Sequence, residues 1–205
     1  MRLVPTSSLA LAALLAGCSH AEGPTPATPV STASAATPAT AQAPLAAFET
    51  VRAVLQDARC ANCHPAIDRP LQTDQSFVHA MNVQRGPTGH GLPGAECSTC
   101  HGKANAPDSY GPHQPPGVAT DWHLPPPEMR MVFVGRSPRE LCEQLKDPQR
   151  NGHKDLAALV HHVSSDPLVL WGWSPGFGRR PVSVPHAEFV AAFKRWSDAG
   201  APCPQ

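Results

Sequence analysis

Cys60-Ala61-Asn62-Cys63-His64 is the stretch on which the interpretation of this chain depends, because its spacing returns at Cys97-Ser98-Thr99-Cys100-His101. Both segments have the form C-x-x-C-H, and only residues 65–96 lie between them. Two separate domains, each closing its own core around one motif, would need a longer separation. The spacing therefore predicts one compact unit that contains both motifs.

The C-x-x-C-H pattern is the attachment pattern of a c-type haem. The two thiols add to the two vinyl groups of the porphyrin, and the imidazole that follows becomes the proximal ligand of the iron. We therefore predict two haem c cofactors. The predicted covalent attachment residues are Cys60, Cys63, Cys97 and Cys100, and the predicted proximal iron ligands are His64 and His101.

Two other kinds of site also use paired cysteines. Four thiols in two C-x-x-C pairs suit a tetrahedral zinc ion, and each pair alone suits a redox dithiol or a disulfide. Neither alternative requires a histidine directly after each pair, whereas both pairs here have one. The haem interpretation accounts for that histidine.

The composition limits what the chain can bind and how it can fold. Its 205 residues carry no formal net charge, so there is no basic field for nucleic acid and no nucleic-acid partner is predicted. Only 5% of the residues are aromatic and 25 are prolines, which leaves a thin apolar core for this length. Two haems are large apolar bodies that could supply the missing core, and we predict that folding depends on them.

Residues 1–17 have the composition of an export signal, with Arg2 followed by an apolar run too short to span a bilayer. The segment Leu15-Ala16-Gly17-Cys18 resembles a bacterial lipobox, which implies that Cys18 is lipidated and anchors the chain to a membrane. An ordinary signal peptide with an unrelated cysteine is the alternative. By analogy with bacterial lipoproteins, Ser19 after the cysteine favours the outer membrane, so the predicted location is the periplasmic side of that membrane.

Residues 18–44 contain mainly Ala, Thr, Pro and Ser with almost no charge, which predicts a disordered tether. Residues 45–205 form the predicted folded domain. Its helical periodicities and its Pro- and Gly-rich connections predict a mostly α fold, with about four to five helices, long loops and no sheet of consequence.

The helix signals differ in strength along this domain. Apolar spacing predicts a first helix over about 45–58, a short helix over 74–83 and a helix near 154–163. Ser137, Pro138 and Glu140 form a capping-box pattern at the start of a helix that ends at Asp147. A last helix opens at Pro185 and carries Phe189, Phe193 and Trp196 on one face, with Gly200 as its stop signal.

Cys142 and Cys203 remain after the haem and lipid cysteines are assigned. An even remainder in an exported protein predicts one disulfide between them. Two unrelated thiols are the alternative.

The distal iron ligands are harder to assign than the proximal ones. The candidates are His79, Met81, His90, His113, His123, Met129, Met131, His153, His161, His162 and His186. We predict His79 and His123, because the first lies close in sequence to the first motif and the second adjoins the stiff proline run 125–127. Met129 and then His113 follow. Two histidine ligands favour a lower potential than a histidine–methionine pair.

The paired motifs resemble those of dihaem c-type cytochromes. The Pro- and Met-containing loop 123–133 resembles the loop that supplies the distal methionine in single-haem cytochromes c, and the ending Trp196-Ser-Asp-Ala-Gly-Ala-Pro202 resembles the last helix of bacterial cytochrome c domains. In that family the last helix packs on the first. Three stretches are similar to a dihaem family known as the cytochrome subunit of isoquinoline 1-oxidoreductase, a molybdenum hydroxylase. They are His79-Ala-Met-Asn-Val-Gln-Arg-Gly86, Trp122-His-Leu-Pro-Pro-Pro127 and Leu168-Val-Leu-Trp-Gly-Trp173.

The resemblance implies an electron carrier rather than an enzyme. It implies a lipid-anchored cytochrome that passes single electrons between a dehydrogenase and the respiratory chain, with redox proteins as partners. The alternatives are a small peroxidase-like haem enzyme and a gas-binding haem sensor, each of which needs one iron without a distal protein ligand. No molybdopterin or flavin motif is visible in the chain.

Overall fold

A computed structural model of the protein describes residues 39–205, so the predicted signal peptide, Cys18 and most of the predicted tether lie outside the described residues. The described part is mostly α, with six helices and two short hairpins. The helices are α1 (Ala39–Leu55), α2 (Ala58–Ala61), α3 (Pro138–Lys146), α4 (Leu156–Ser165), α5 (Pro167–Leu170) and α6 (His186–Asp198). The strands are β1 (Leu71–Gln72), β2 (Phe77–Val78), β3 (Gly91–Leu92) and β4 (Ala95–Glu96), paired antiparallel as β1–β2 and β3–β4.

The first and last helices form the centre of the core, as the resemblance implied. The ring of Phe48 on α1 lies 5.2 Å from that of Trp196 on α6, and both side chains are fully buried. Helices α3 and α4 close the remaining sides of this cluster with Leu141 and Leu159. Four short helices can therefore bury a common apolar face that none of them could bury alone.

Local signals set the ends of two helices where they were predicted. The Ser137 side chain accepts from the Glu140 amide while the Glu140 carboxylate accepts from the Ser137 amide, which confirms the capping box. Gly200 follows α6 with φ +81°, and the amides of Gly200 and Ala201 donate to the carbonyls of Ser197 and Trp196. This is a Schellman ending, and it confirms Gly200 as the stop.

Two predicted helices differ from those observed. Helix α1 begins at Ala39 and ends at Leu55, so residues 39–44 of the predicted tether are helical, with Pro44 inside the helix. The predicted helix over 74–83 is wrong, because these residues form part of the turn and the second strand of the β1–β2 hairpin and the irregular chain that follows. Thr73 and Ser76 have positive φ, and the Thr73 carbonyl accepts from the Asn62 side chain, so contacts with distant residues override the local helical spacing.

Cys142 on α3 and Cys203 near the C-terminus form a disulfide, as predicted. Cys142 is fully buried in the core cluster, so the bond ties the chain end to the helical core. Between residues 39 and 205, no helix is both long and apolar enough to cross a membrane.

Candidate functional site

The first motif lies where the helical core begins. The Asp57 side chain caps α2 by accepting from the Arg59 amide, and this short helix presents Cys60 directly after α1. The amides of Cys63 and His64 continue the turn by donating to the carbonyls of Cys60 and Ala61. This turn therefore places both thiols and the imidazole next to the C-terminal end of α1, on the side that faces the helical core.

The His64 ring is held by two contacts from the segment 131–133. Its Nδ1 lies 2.8 Å from the Met131 carbonyl oxygen, and its ring stacks on Phe133 at 4.0 Å. A carbonyl can only accept, so Nδ1 carries the proton and Nε2 keeps a free lone pair. Burial lowers the pKa of His64 to about 4, because desolvation disfavours the charged ring, and the nearby charge of Arg85 acts in the same direction.

A cavity of about 440 Å³ opens beside this motif and includes Cys60, Cys63 and His64 in its wall. Much of the wall is apolar and comes from the core helices. These residues are Leu55, Leu145, Leu159, Val163, Phe189 and Phe193. The volume and the apolar lining are those of a site for a mid-sized organic ligand.

The two thiols of the first motif are neutral in this setting. Burial raises the pKa of Cys63 to about 11 and raises that of Cys60 further still, because a thiolate would lose its hydration.

The second motif lies outside the helical core. The β3–β4 hairpin leads directly into a 3₁₀ turn, Cys97–Thr99, and the amides of Cys100 and His101 donate back to the Cys97 carbonyl. Cys97 is half-buried and Cys100 is exposed. Loop residues rather than helices therefore surround this pair of thiols.

The His101 ring is nevertheless held in the same way as His64. Its Nδ1 lies 2.8 Å from the Pro116 carbonyl oxygen, and its ring is parallel to Trp122 at 4.6 Å. Burial lowers the pKa of His101 as well. Both motif histidines are thus neutral, each supported by a carbonyl and a stacked aromatic ring, with Nε2 available to a metal.

His79 is brought to the second motif rather than the first. Its ring centroid lies 6.3 Å from that of His101, and its Nδ1 lies 2.9 Å from the Ala80 carbonyl oxygen. Because Nδ1 donates to this carbonyl, Nε2 of His79 also keeps its lone pair. Two imidazoles that can each offer Nε2 therefore stand close together at this site.

The other predicted distal ligands are distributed unevenly. His123 and Met129 both line the cavity of the first motif, and the His123 ring also stacks on His90 at 4.9 Å. His113 is exposed and lies against Gly178, whose neighbour Phe177 accepts from the His113 amide. The structure thus groups His79 with the second motif and His123 and Met129 with the first, and it places His113 with neither.

Sequence reasoning passed over His162. This side chain lines the first cavity and its Nδ1 lies 3.2 Å from the Asp166 carboxylate. The signal was present in the spacing, because His162 follows the apolar Leu159 by three residues and precedes Asp166 by four. His162 was one of eleven candidate ligands, and the sequence alone did not show which of their side chains face the interior of the fold.

Aromatic side chains connect the surroundings of the two motifs. Trp122, which stacks on His101, meets Trp171 edge-on at 5.1 Å, and the Arg59 guanidinium lies 5.8 Å from the Trp171 ring. Arg59 is only 4% exposed, lines the first cavity and contacts the Asp74 carboxylate. Its Nε has no hydrogen-bond acceptor among residues 39–205, so a buried donor is left for a further partner.

Two observations on residues 39–205 bear on the disulfide and zinc alternatives to haem. None of the four motif cysteines forms a disulfide. Within residues 39–205, no three or more His, Cys, Asp or Glu side chains lie together in a group that could hold a metal ion.

Comparisons of the chain with protein-family models, with curated proteins and with solved structures returned no match.

Proposed function

We propose that this chain is a dihaem c-type cytochrome that carries single electrons on the periplasmic side of a bacterial membrane. The observation that supports the proposal most directly is the matched support of the two motif histidines. Each donates Nδ1–H to a backbone carbonyl at 2.8 Å, which is how proteins usually orient an imidazole that binds a metal through Nε2. The two supports come from unrelated segments of the chain, so local sequence repetition does not explain them.

The residues of the first motif fit a haem. The cavity of about 440 Å³ adjoins both thiols and the His64 ring, and its apolar wall would cover a porphyrin. The unpaired Nε of Arg59, buried in the same wall, suits an acidic group such as a haem propionate.

The residues of the second motif fit a haem with two histidine ligands. A metal that binds two imidazole nitrogens at about 2 Å each from opposite sides holds the ring centroids about 6 Å apart. The His79 and His101 centroids are 6.3 Å apart and each ring has Nε2 free. This spacing supports His79 as the distal ligand of the second iron.

Haem bound at both motifs would supply a one-electron iron couple. The residues of the chain would anchor each porphyrin through two thioethers and fix the tautomers of the two motif histidines. Exposure of Cys100 leaves the second site accessible to a partner protein. We propose that partners are redox proteins, namely a dehydrogenase of the molybdenum hydroxylase class and a component of the respiratory chain.

The cofactor proposal is tested by expressing the full chain with an active haem-ligation system. We expect two haems per chain that stay attached after denaturation. The double variants Cys60→Ala/Cys63→Ala and Cys97→Ala/Cys100→Ala should each retain one. Colourless protein, or protein that contains zinc instead, would refute the proposal.

His79→Ala should convert one of the two haems from low-spin to high-spin, with the other unchanged. A spectrum identical to that of the parent protein would remove His79 from the site.

The location is tested separately through Cys18, which lies outside the described residues. Cys18→Ser should release the haem protein from membranes into the soluble periplasmic fraction. Protein that stays bound to the membrane would exclude a lipid anchor at this cysteine.

A further inference from the structure

The wall of the first cavity has two parts that play different roles toward His64. One part is the segment 131–133, which holds the His64 ring through the Met131 carbonyl and the stacked Phe133. The other part is α4, whose residues Leu159 and Val163 are buried in the core and line the cavity. A second protein ligand for an iron held by His64 would come from another part of this wall.

His162 belongs to the cavity face of α4. It follows Leu159 by three residues and precedes Val163, and side chains at this spacing share one side of a helix. All three line the cavity. The side chain of His162 is 36% exposed, so most of its surface is covered by the protein.

Asp166 sets the orientation of this histidine. Its carboxylate lies 3.2 Å from Nδ1 of His162 and also borders the cavity. The carboxylate is itself fixed, because its other oxygen accepts from the Leu168 amide near the start of α5. A carboxylate that accepts from Nδ1–H leaves Nε2 as the ligating nitrogen and makes it more basic.

The competing side chains in the cavity are less well placed. Met131 belongs to the segment that supports the His64 ring, and Met129 lies two residues before it on a short 3₁₀ helix. His123 donates Nδ1–H to the Asp121 carbonyl at 2.8 Å, so its Nε2 is free as well, but it lies on a loop and its ring packs against the exposed His90. Only His162 combines a place on a different wall with a carboxylate partner on Nδ1.

We propose that His162 is the second axial ligand of the iron at the first motif, with Asp166 as its positioning residue. This inference rests on the proposed function. It gives both haems two histidine ligands and leaves the predicted candidates His123 and Met129 without a role at this iron.

The test compares His162→Ala with His161→Ala, because His161 is the exposed neighbour on the same helix. We expect His162→Ala to keep two covalent haems, to convert one of them to high spin and to bind carbon monoxide rapidly when reduced. His161→Ala should match the parent protein. A low-spin spectrum for His162→Ala with two haems attached, or conversion to high spin by Met129→Leu instead, would overturn the inference.

Counting the haems in the same samples separates this inference from the proposed function. If no haem is attached to the parent protein, the proposed function fails. If two haems are attached and the spectrum of His162→Ala matches that of the parent, only the ligand assignment fails. His162→Met adds a readout that a structural role would not produce. It should restore a low-spin spectrum and raise the potential of that haem alone, because thioether sulfur favours the reduced iron.

Asp166→Asn isolates the positioning role. The amide is a weaker acceptor than the carboxylate, so we expect the haem to stay low-spin while its potential rises. An unchanged potential would exclude Asp166 from that role.

Discussion

The two C-x-x-C-H motifs have the same chemistry but lie in opposite kinds of structure. The first is carried by α2 and borders a cavity whose wall comes from α1, α3, α4 and α6. The second follows a two-residue hairpin and lies among Gly- and Pro-rich loops, with one of its thiols exposed. The first site is thus part of the helical core, whereas the second site is attached to that core by loops.

The contacts that hold the two motif histidines show which structural features the two sites share. His64 and His101 share a carbonyl acceptor at 2.8 Å and a stacked aromatic ring, although one is held by a loop beside the core and the other by a loop at the surface. The burial of the thiols and the wall of the cavity are not shared. Orientation of the imidazole is therefore common to both sites, and enclosure is particular to the first.

The largest expected effect follows from emptying the first site. Without a bound ligand, the cavity of about 440 Å³ leaves the apolar side chains of its wall exposed to water, and a domain is only marginally stable. Cys60→Ala/Cys63→Ala protein without haem at that site should therefore lose its cooperative thermal transition, measured by circular dichroism.

The matched control is Cys97→Ala/Cys100→Ala, which removes only the second attachment. We expect this variant to keep a cooperative transition with a lower midpoint. Equal losses in the two variants would show that both haems belong to one core.

The next effect concerns the loop that leads to Cys97. Gly86 has φ +69°, and a Cβ at this position would overlap the backbone carbonyl of Gly91. Gly86→Ala should therefore cost roughly 3 kcal/mol, as strain and steric overlap add. Gly94→Ala is the control, because its φ is +80° and nothing lies within 4 Å of the added Cβ; it should cost about 1 kcal/mol.

Hydrogen exchange measures this difference locally. Gly86→Ala should speed exchange in residues 85–97 and leave α1 and α6 protected, since the loop opens without the core. Faster exchange in α1 and α6 as well would contradict the division into core and attachment.

The parts of the structure that could be predicted are those with local causes. The capping box at Ser137 and the stop at Gly200 depend on residues within one turn, and both were visible in the sequence. The Cys142–Cys203 bond was found by counting cysteines. The buried face of the last helix could also be predicted, because its apolar residues recur with the period of an α-helix.

The parts that could not be predicted depend on residues far apart in the chain. His79 was assigned by its closeness in sequence to the first motif, but the β1–β2 hairpin and its contacts bring it to His101. The carbonyls of Met131 and Pro116 could not be identified either, because any residue has a carbonyl and only the folded chain selects one. The same holds for the inward face of α4 at His162.

The disulfide offers an intermediate effect that acts on one region only. Cys142→Ala/Cys203→Ala should lower the free energy of unfolding by about 2–4 kcal/mol, because the unfolded chain regains the entropy of a long loop. The bond belongs to the core cluster that surrounds the first site. Urea unfolding should show the loss, and the spectrum of the second haem should be unchanged before the transition. Perturbation of the second haem in the folded variant would contradict the separation of the two sites.

The smallest effects come from the rings that stack on the motif histidines. Phe133→Leu and Trp122→Leu each remove an aromatic partner, and such a stack contributes about 0.5–1.5 kcal/mol beyond its buried area. Phe133 is buried in the core cluster, so its loss should lower the urea midpoint as well as disturb the first haem. Trp122 is half-buried on the surface side, so its loss should alter the second haem and barely change the urea midpoint. Trp122→Phe keeps an aromatic ring against His101 and should restore the parent spectrum. This variant therefore distinguishes a role in orienting the imidazole from a role in general packing. If the urea midpoint falls more for Trp122→Leu than for Phe133→Leu, the assignment of the first site to the core and the second to an attachment would be reversed.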